Sequence, residues 1–562
     1  MTDKINIALA QINPTMGDVA GNIDRIRCAR AEAAKLGADL MVTGELVVSG
    51  YPPEDLVLKP MFLDSVALAV EAFARETADG GPAVLLTAPW RDAKGSNGAT
   101  TWGQRIYNAA LMVDRGAIQT VRYKHDLPNY GVFDEKRVFT PGPLLGPIAL
   151  NGVRLGVMIC EDMWTPDVTE CLEESGAEIL IVPNGSPFER DKLYERIQLA
   201  VARVTESGLP LIYVNQIGGQ DELVFDGASF ALDAGRNLCA QAPAWRESVV
   251  LTRWRRGGDG KWACAPGEIA APSSEVEQIY QAMVLGLRDY VDKNRFPGVI
   301  LGLSGGIDSA LCAAIAVDAI GAERVRAVMM PSPYTSRDSL EDAAACAGLL
   351  GIQLDNISIE PAMAAFAGML APHFAGRAPD IAEENIQSRA RGLTLMAMSN
   401  KFGHMVLSTG NKSEMSVGYA TLYGDMCGGY AVLKDLYKTT VFQLSRWRNQ
   451  SVPAGVRGLA GRVMPERVIT KPPTAELKPD QTDQDTLPPY DVLDDILRGL
   501  IEGEQPIADI VKRGHDEATV RRVWRMLDRA EYKRRQAPPG VKLTRRAFGR
   551  ERRYPITNAY QG

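Results

Sequence analysis

The stretch over residues 298–318, GVILGLSGGIDSALCAAIAVD, constrains the fold of this chain more than any other segment. Its apolar run at 299–301 is typical of a buried parallel strand, and the alanine-rich segment after Ser309 has helical spacing. Between them, Gly305 and Gly306 permit positive φ and a close approach of the backbone. A glycine turn at the start of a helix leaves free N–H groups that favour an anion. The stretch therefore predicts a strand–turn–helix unit that binds phosphate.

The same turn carries a carboxylate, Asp308, which would repel a phosphate unless it holds a divalent cation that bridges to it. A plain glycine turn with Asp or Ser as the helix N-cap is the alternative. The string SGGIDS resembles the signature loop of the PP-loop ATP pyrophosphatases, and it lacks the Gly-Lys-Ser/Thr ending of a Walker A motif. The resemblance implies ATP as co-substrate, bound by Gly302, Leu303, Ser304, Gly305, Gly306, Ile307, Asp308 and Ser309.

The size and composition of the chain limit the classes of protein to which it can belong. A chain of 562 residues is too long for one hydrophobic core, so two or three domains are expected. The net charge of -7 argues against a nucleic-acid-binding surface over the whole molecule. No apolar run approaches the roughly 18 residues of a membrane span, and the start, MTDKINIALAQINP, does not resemble a signal peptide. The cysteines include no C-x-x-C pair, so we expect reduced thiols in a cytoplasmic protein.

The first half of the chain alternates strand-like and helix-like runs, which favours a layered α/β sandwich. Polar residues stand at the ends of three apolar strands: Glu45 closes MVTGE, Lys124 closes AIQTVRYK and Cys160 closes RLGVMIC. Strand ends of this kind meet at the edge where α/β folds usually hold their active sites. A carboxylate, an ammonium and a thiol together supply a base, an electrostatic stabiliser and a nucleophile for an amide carbon. Taken singly, the thiol is equally explained as a buried structural cysteine and the two charges as surface groups.

The strings GELVVSGYPPEDL, YKHDLPNYGVFDEKRVF and GVMICEDMW resemble, in this order, the nitrilase superfamily over about residues 4–255. The resemblance implies an αββα sandwich with Cys160 as nucleophile, Glu45 as general base and Lys124 as oxyanion stabiliser. It also matches Glu135 to a second glutamate near this triad.

The strings NYGVFDE and PNGSPFERDK are similar to the glutaminase branch of that superfamily. This resemblance implies that the substrate glutamine is held by Tyr130, Ser186 and Lys192. The alternative explanation of these residues is a loop tyrosine, a helix N-cap serine and a solvated lysine.

A stretch rich in Gly, Ala, Pro and Ser, GGDGKWACAPGEIAAPSSE, interrupts the pattern after the first half. It predicts a first domain over residues 1–260, a linker over 261–274 and a second domain over 275–562. Beyond it, RVRAVMMPS, QLDNISIEP and HMVLSTGNKSE are typical of parallel strands with helices between them. We therefore expect a doubly wound α/β domain whose ligand lies beyond the carboxyl ends of its strands.

Further strings in the second domain narrow the substrate. Glu414 is a candidate second carboxylate on a cation held by Asp308, and the alternative is a first-turn glutamate stabilised by a helix dipole. The strings EENIQSRARGLTLMAMSN, STGNKSEMSVGYATLYGDMCGGYAVLKDLYKT and KPPTAELKPDQTDQ closely resemble ammonia-ligating NAD synthetases. The resemblance implies Thr409 on ATP, Lys438 near the phosphates, and Mg²⁺ held by Asp308 and Glu414. It implies that deamido-NAD⁺ is contacted by Asn385, Glu414 and Lys533.

The basic tail over residues 521–553 has three interpretations. It is a solvated helix face with a frayed end, a surface that presents Lys533 to an anionic dinucleotide, or an RNA-binding arm.

Over nearly its whole length the chain resembles the family of glutamine-dependent NAD synthetases. The resemblance implies that one half releases ammonia from L-glutamine, while the other uses ATP to adenylate and amidate deamido-NAD⁺, giving NAD⁺, AMP and pyrophosphate. It also implies a homo-oligomer, at least a dimer, and we expect no nucleic-acid or membrane partner. The alternatives are another glutamine-fed PP-loop ligase, acting on a different carboxylate or on tRNA, and a non-catalytic binding protein that keeps both folds.

Overall fold

The computed structural model describes residues 3–91, 105–479 and 481–560. The chain divides into two units, Met1–Ser273 and Ser274–Gly562. No helix among the described residues has both the length and the apolar character that a membrane crossing needs.

The first unit is built from two large sheets. Its strands are β1 (Lys4–Gln11), β2 (Leu40–Thr43), β3 (Ala83–Arg91), β4 (Ile106–Asp114), β5 (Ala117–Tyr123), β6 (Ile148–Leu150), β7 (Val153–Val157), β8 (Ile179–Asn184), β9 (Leu211–Asn215), β10 (Ile217–Gln220), β11 (Leu223–Asp226), β12 (Phe230–Leu232), β13 (Leu238–Gln241), β14 (Ser248–Arg256) and β15 (Trp262–Cys264). The strand orders are β15-β14-β1-β2-β3-β4-β5 and β13-β12-β9-β8-β7-β6, with β10 and β11 forming a hairpin. Its helices are α1 (Val19–Lys35), α2 (Pro60–Glu76), α3 (Asp167–Glu174) and α4 (Lys192–Ser207).

Alternation along the strands explains the layering of this unit, because successive side chains of a strand point to opposite faces. In β1, Ile7 and Leu9 pack in one buried cluster with Ile181 of the other sheet. Their neighbours Ala8 and Ala10 face the other way and pack with residues of α1 and α2. Residues of α4 cover the outer face of β8 and β9 in the same manner. The αββα sandwich predicted for the first half is confirmed.

The second unit has one sheet with all strand pairs parallel. Its strands are β16 (Val299–Gly302), β17 (Val325–Met329), β18 (Gln353–Asn356), β19 (Met405–Ser408) and β20 (Tyr430–Ala431). Its helices are α5 (Glu275–Lys293), α6 (Ile307–Ile320), α7 (Arg337–Leu350), α8 (Glu360–Leu370), α9 (Ile381–Phe402), α10 (Lys412–Val417), α11 (Lys438–Gln450), α12 (Glu466–Thr470), α13 (Tyr490–Ile501), α14 (Ile507–Lys512), α15 (Glu517–Arg529) and α16 (Glu531–Arg534).

The strand order of this sheet, β18-β17-β16-β19-β20, reverses direction next to β16. In a doubly wound fold the ligand crevice lies at such a switch point, beyond the carboxyl ends of the strands. The helix that follows β16, α6, is buried on every side except at Asp308. An alanine-rich helix of this kind packs into the core and presents a single charged group at its first turn. The predicted doubly wound domain is confirmed.

Two segments differ in detail from the sequence expectation. The predicted linker contains β15, which pairs with β14 and buries Trp262 between the two sheets of the first unit. The basic tail is folded, since Arg534 and Arg552 are buried and form ion pairs with Glu531 at 2.8 and 2.9 Å. The domain boundaries at 260 and 275 stay predictions.

Candidate active sites

The first unit brings three predicted residues to one edge of its sandwich. Glu45 lies just beyond β2, Lys124 directly follows β5, and Cys160 begins a short 3-10 helix, Cys160–Met163, beyond β7. The apolar strands end inside the fold, so all three polar groups are buried, with 0%, 0% and 4% exposure respectively. Charges in such a place are stable only when they are paired.

A buried ion cluster holds the lysine. Lys124 Nζ donates to Glu45 Oε1 at 2.7 Å and to Glu135 Oε2 at 2.9 Å, while Tyr51 OH donates to Glu135 Oε1 at 3.0 Å. Burial lowers the pKa of Lys124, but the two carboxylates outweigh it, and the net pKa lies well above the ordinary value. Burial raises the pKa of Glu135 against the opposing charge of Lys124. The lysine is therefore a fixed positive charge at neutral pH.

The carboxylate of Glu45 is fixed at both oxygens. Besides the lysine, Asn108 Nδ2 donates to Oε1 at 2.7 Å, and the backbone N–H of Gly185 donates to Oε2 at 3.0 Å. Its own backbone N–H donates to the Asn184 carbonyl at 3.0 Å. A base that is held in this way needs little reorganisation when it accepts a proton.

Cys160 stands on a strained turn, with a φ of 48° in the left-handed region. Burial raises the pKa of its thiol well above the ordinary value, Glu45 raises it further, and Lys124 opposes the shift. The thiol is therefore protonated at neutral pH and needs a base before it can act as a nucleophile. Glu45 is the carboxylate with the largest effect on it.

A buried carboxylate that we did not single out from the sequence, Asp162, ties the lysine segment to the cysteine turn. Its Oδ1 accepts the backbone N–H groups of His125 and Asp126 at 2.9 and 2.8 Å. Its Oδ2 accepts the N–H of Ile159 at 2.9 Å. The residue before the cysteine and the two residues after Lys124 are thus held by one side chain.

Two of the predicted glutamine-binding residues lie against the cysteine turn. Tyr130 OH donates to both carboxylate oxygens of Glu161 at 3.0 Å. Lys192 Nζ lies 4.4 Å from the ring centre of Trp164 and forms an ion pair with Glu195 at 2.7 Å. Burial raises the pKa of Glu161, the residue next to the cysteine. Both predicted residues therefore stand beside the turn that carries the thiol.

The third predicted residue, Ser186, is buried in a polar network. Its Oγ accepts from Arg196 Nε at 3.0 Å, and its backbone N–H donates to Asn215 Oδ1 at 3.0 Å. Arg196 also forms an ion pair with Asp226 at 2.7 Å, and it is 1% exposed. From the sequence, an arginine in an amphipathic helix is expected to face solvent. The sequence therefore offered no indication that Arg196 is buried against Ser186 and Asp226. A lone polar residue in the apolar strand IYNAALMV could have pointed to Asn108.

The glycine turn of the second unit connects β16 to α6 as predicted. Gly305 has a φ of 79°, and a Cβ there would lie 2.3 Å from the backbone oxygen of Ser339. Only glycine fits this position, both by conformation and by space. Ser304 Oγ accepts the N–H of Gly306 at 3.2 Å, and Ser309 Oγ donates to the Gly306 carbonyl at 3.0 Å.

A cavity of about 280 Å³ lies at the carboxyl ends of β16, β17 and β19. Of the predicted nucleotide-binding residues it is lined by Gly302, Leu303, Ser304, Gly306, Ile307, Asp308, Ser309 and Thr409, and not by Gly305. Glu414 and Lys438 line it as well. The structure therefore gathers the glycine turn, the residue Thr409 just beyond β19, and the charged groups Asp308, Glu414 and Lys438 around one space.

The charged groups contact one another. Lys438 Nζ donates to Asp308 Oδ2 at 2.5 Å and to Glu414 Oε1 at 3.1 Å. Asn411 joins the same group, since its Nδ2 donates to Asp308 Oδ1 at 2.9 Å and its Oδ1 accepts the Glu414 N–H at 3.0 Å. Burial raises the pKa of Glu414. For Lys438, burial lowers the pKa, but the two carboxylates more than offset it and the net pKa is raised.

The contact of Lys438 with Asp308 and Glu414 bears on whether these two carboxylates could bind a magnesium ion. One cationic nitrogen lies within hydrogen-bond distance of both Asp308 and Glu414, so the two carboxylates can share a single cation. Carboxylate oxygens are the ligands that Mg²⁺ takes together with phosphate oxygens. The two carboxylates could thus supply part of a Mg²⁺ coordination shell, with phosphate and water supplying the rest, since the described residues include no group of three or more acidic, histidine or cysteine side chains that could hold a metal.

Two predicted dinucleotide-binding residues lie behind the cavity wall. Asn385 Oδ1 accepts from Thr421 Oγ1 at 2.9 Å. Lys533 Nζ donates to the carbonyls of Gly418 and Ala420 at 2.7 and 2.6 Å. Both side chains hold the segment that follows α10, and Tyr419, Gly424 and Asp425 of that segment line the cavity.

Some cavity residues were not singled out as site residues from the sequence. Arg391 lines the cavity and donates through Nε to the Met330 carbonyl at 3.1 Å. Glu476 accepts from Ser339 Oγ at 2.8 Å, and Lys471 donates to the same hydroxyl at 3.1 Å. The string that contains both was recognised, but its spacing did not show which side chains face the nucleotide.

Comparisons with known proteins agree with this division. A carbon-nitrogen hydrolase model matches residues 6–262, and an NAD synthase model matches residues 279–537. The chain is 50% identical to the glutamine-dependent NAD(+) synthetase of Rhodobacter capsulatus over 100% of both chains. It is 46% identical to that of Xanthomonas campestris pv. campestris, covering 99% of this chain and 98% of the relative. The solved structure of glutamine-dependent NAD+ synthetase from Acinetobacter baumannii, in complex with ADP, is similar with a TM-score of 0.77, 43% identity and 99% coverage of both chains.

Proposed function

The chain belongs to the glutamine-dependent NAD(+) synthetase family, a family of ATP-dependent carbon–nitrogen ligases, and we propose how its two units divide the reaction. The first unit hydrolyses L-glutamine to glutamate and ammonia. The second uses ATP to activate the carboxylate of deamido-NAD⁺, which ammonia then converts to NAD⁺. One observation carries the proposal: a single chain holds both a buried Glu45–Lys124–Cys160 cluster and a glycine-turn cavity with two carboxylates.

Glutamine hydrolysis begins with the protonated thiol. Glu45 takes the proton of Cys160 as sulfur attacks the carboxamide carbon, and the C=O electron pair moves to oxygen. Lys124, held positive by two carboxylates, stabilises that oxyanion. The C–N bond then breaks, the nitrogen receives the proton from Glu45, and ammonia leaves a thioester on Cys160.

A water molecule completes the cycle. It loses a proton to Glu45 and attacks the thioester carbon, and the C–S bond breaks to release glutamate. The thiolate recovers the proton from Glu45, so atoms and charge balance over the cycle. The glutamine skeleton is held by Tyr130, Ser186 and Lys192.

In the second unit, the carboxylate of deamido-NAD⁺ attacks the α-phosphorus of ATP, and pyrophosphate leaves. Ammonia attacks the resulting acyl adenylate, and the C–O bond to AMP breaks as the amide forms. The glycine turn at residues 302–309 and Thr409 bind the ATP. Lys438 places positive charge beside the leaving pyrophosphate.

Magnesium, when bound, neutralises charge that develops on the phosphates. Asp308 and Glu414 would hold it, with Asn411 donating to the Asp308 carboxylate through Nδ2 and to the Glu414 carboxylate through its backbone N–H. Asn385 and Lys533 shape the dinucleotide site through the segment after α10, and Glu414 contributes to that site directly.

We also propose a homo-oligomer, at least a dimer, in the cytoplasm. Helix α8 has no buried residue among those described, although it carries Phe366 and Met369. Ile381 and Leu393 of the next helix are also 68% and 67% exposed. Exposed apolar side chains on two helices that contact each other support a contact between subunits. The free thiols fit a reducing compartment.

A ligand-binding experiment tests the substrate assignment. Deamido-NAD⁺ in the presence of a non-hydrolysable ATP analogue should raise the melting temperature, since a ligand at 100 times its Kd stabilises by about 2.7 kcal/mol. Transfer RNA should leave it unchanged. A shift with tRNA and none with deamido-NAD⁺ would contradict the assignment in favour of a tRNA-modifying ligase.

A further inference from the structure

The side chain of Gln216 is a buried amide without a partner. It is 2% exposed, and neither its Nε2 nor its Oε1 has a hydrogen-bond partner in the described part of the chain. An amide can make four hydrogen bonds, and leaving them unmade inside a protein costs free energy. Such a group needs a partner from outside the chain, and a bound ligand is one source of it.

The position of this amide is fixed by the same backbone that fixes the proposed base. The N–H groups of Glu45 and Gln216 donate to one carbonyl, that of Asn184, at 3.0 and 3.3 Å. A Cβ on Gly185 would lie 3.1 Å from Glu45 Oε2 and 3.3 Å from Gln216 Nε2. The bare face of Gly185 is therefore bordered by the proposed base on one side and the unpaired amide on the other.

Other unpaired atoms surround the same place. Asn108 Oδ1 and Asn184 Oδ1 are buried without a partner among the described residues, although Asn108 Nδ2 donates to Glu45. Asn184 and Gly185 come immediately before Ser186, a residue already assigned to glutamine. The unused hydrogen-bonding capacity is thus concentrated on the edge that carries the proposed base.

We propose that Gln216 contacts the substrate, its side-chain oxygen accepting a hydrogen bond from the carboxamide nitrogen of glutamine. The inference rests on the proposed glutaminase role of this unit. A primary carboxamide has two N–H donors, and the side-chain oxygen of Gln216 is a buried acceptor that no group in the described part of the chain uses. The contact holds the leaving nitrogen next to Glu45, which must protonate it.

The same contact gives a preference between substrate and product. Glutamate has a carboxylate in place of the carboxamide, so it offers no N–H to the oxygen of Gln216. A site that is built to pair with an N–H group discriminates against an analogue that lacks it. Gln216 is therefore expected to favour glutamine over glutamate, which also helps the product to leave.

Calorimetry on the full chain tests this, with Cys160→Ala as the parent so that glutamine is bound and not turned over. Adding Gln216→Met, which keeps the length and removes the amide, should raise the Kd for glutamine about tenfold. The Kd for glutamate should stay unchanged. The melting temperature without ligand should not fall, because the substitution removes an unpaired buried group. Gln119→Met is the matched control, since this glutamine is exposed on β5 and donates to the Asp114 carbonyl.

An unchanged Kd for glutamine in Gln216→Met would overturn the inference and leave the proposed function standing. A fall in melting temperature together with equal weakening of glutamine and glutamate would overturn it as well, because the amide would then be structural. Should Gln216→Met not fold, Gln216→Asn decides: a weaker Kd for glutamine supports the contact and an unchanged Kd refutes it. A parent that binds no glutamine at all would overturn the proposed function and this inference together.

Discussion

Individual residues of the first unit owe their chemistry to burial. Glu45 and Lys124 are fully buried, and Lys124 keeps its charge because two carboxylates are paired with it, Glu45 at 2.7 Å and Glu135 at 2.9 Å. Cys160 has no cationic partner in direct contact among the described residues, and burial holds its thiol in the protonated form. A protonated nucleophile beside a fixed base acts only once a substrate is in place, which limits reaction with other electrophiles.

The raised pKa of Cys160 predicts how its alkylation depends on pH. Below its pKa a thiol is protonated, and only the thiolate reacts with iodoacetamide. The alkylation rate of Cys160 should therefore keep rising from pH 7 to pH 9 without a plateau, as measured by peptide mass spectrometry. Cys28, which is exposed, serves as the control for the reagent. A plateau below pH 8 at Cys160 would show a stabilised thiolate and contradict this description.

Removal of Lys438 tests the electrostatics of the second site. Its ammonium lies between Asp308 and Glu414, so Lys438→Met leaves two half-buried carboxylates without that charge. We expect NAD⁺ formation with ammonium to fall at least about a hundredfold, since a group that stabilises transition-state charge contributes this much. As a control, the release of glutamate from glutamine reports the activity of the first unit in the same variant. Ammonium-fed activity that stays within about threefold of the wild-type value would contradict a catalytic role for Lys438.

Whole elements were easier to predict than the side chains between them. Glu45, Lys124 and Cys160 were noticed because each closes a strand-like run, and the resemblance of the strings around them to the nitrilase superfamily supplied their roles. Gln216 lies between β9 and β10, and Asp162 lies in the short 3-10 helix after β7. Neither could be proposed, because a single polar residue in so short a segment has no periodicity to place it. The strand at Trp262–Cys264 was missed since its neighbours are small residues typical of linkers. The conformation of this segment is set by its pairing with β14 and not by its local composition.

The turn between β16 and α6 gives a prediction at this scale. Gly305→Ala puts a methyl group 2.3 Å from the Ser339 carbonyl at a φ of 79°. We expect a loss of stability of about 1–3 kcal/mol in urea unfolding and loss of ATP-dependent activity.

Gly348→Ala is the matched control for that variant. This glycine lies within α7, and a Cβ there would meet no atom within 4 Å. Because alanine has a higher helix propensity than glycine, the free energy of unfolding of the control variant should rise by about 0.5–1 kcal/mol. Equal stability of the two alanine variants would contradict the tight approach described for the glycine turn.

The whole molecule combines two chemistries that share one intermediate. Ammonia is mostly protonated at neutral pH, and ammonium has no electron pair with which to attack an acyl adenylate. A unit that releases ammonia in the same chain as the unit that consumes it therefore serves the second reaction. The length of the chain predicted two or three domains, and the parallel sheet and the sandwich are independent folds with separate cores.

The most direct test of this division is NAD⁺ formation from deamido-NAD⁺, ATP and Mg²⁺ by wild type and Cys160→Ala, each supplied with glutamine or with ammonium chloride. We predict that the variant loses the glutamine-fed reaction and retains the ammonium-fed one, because the thiol acts only in the first unit. A variant that still makes NAD⁺ from glutamine, or a wild type that makes none from either nitrogen source, would contradict the account.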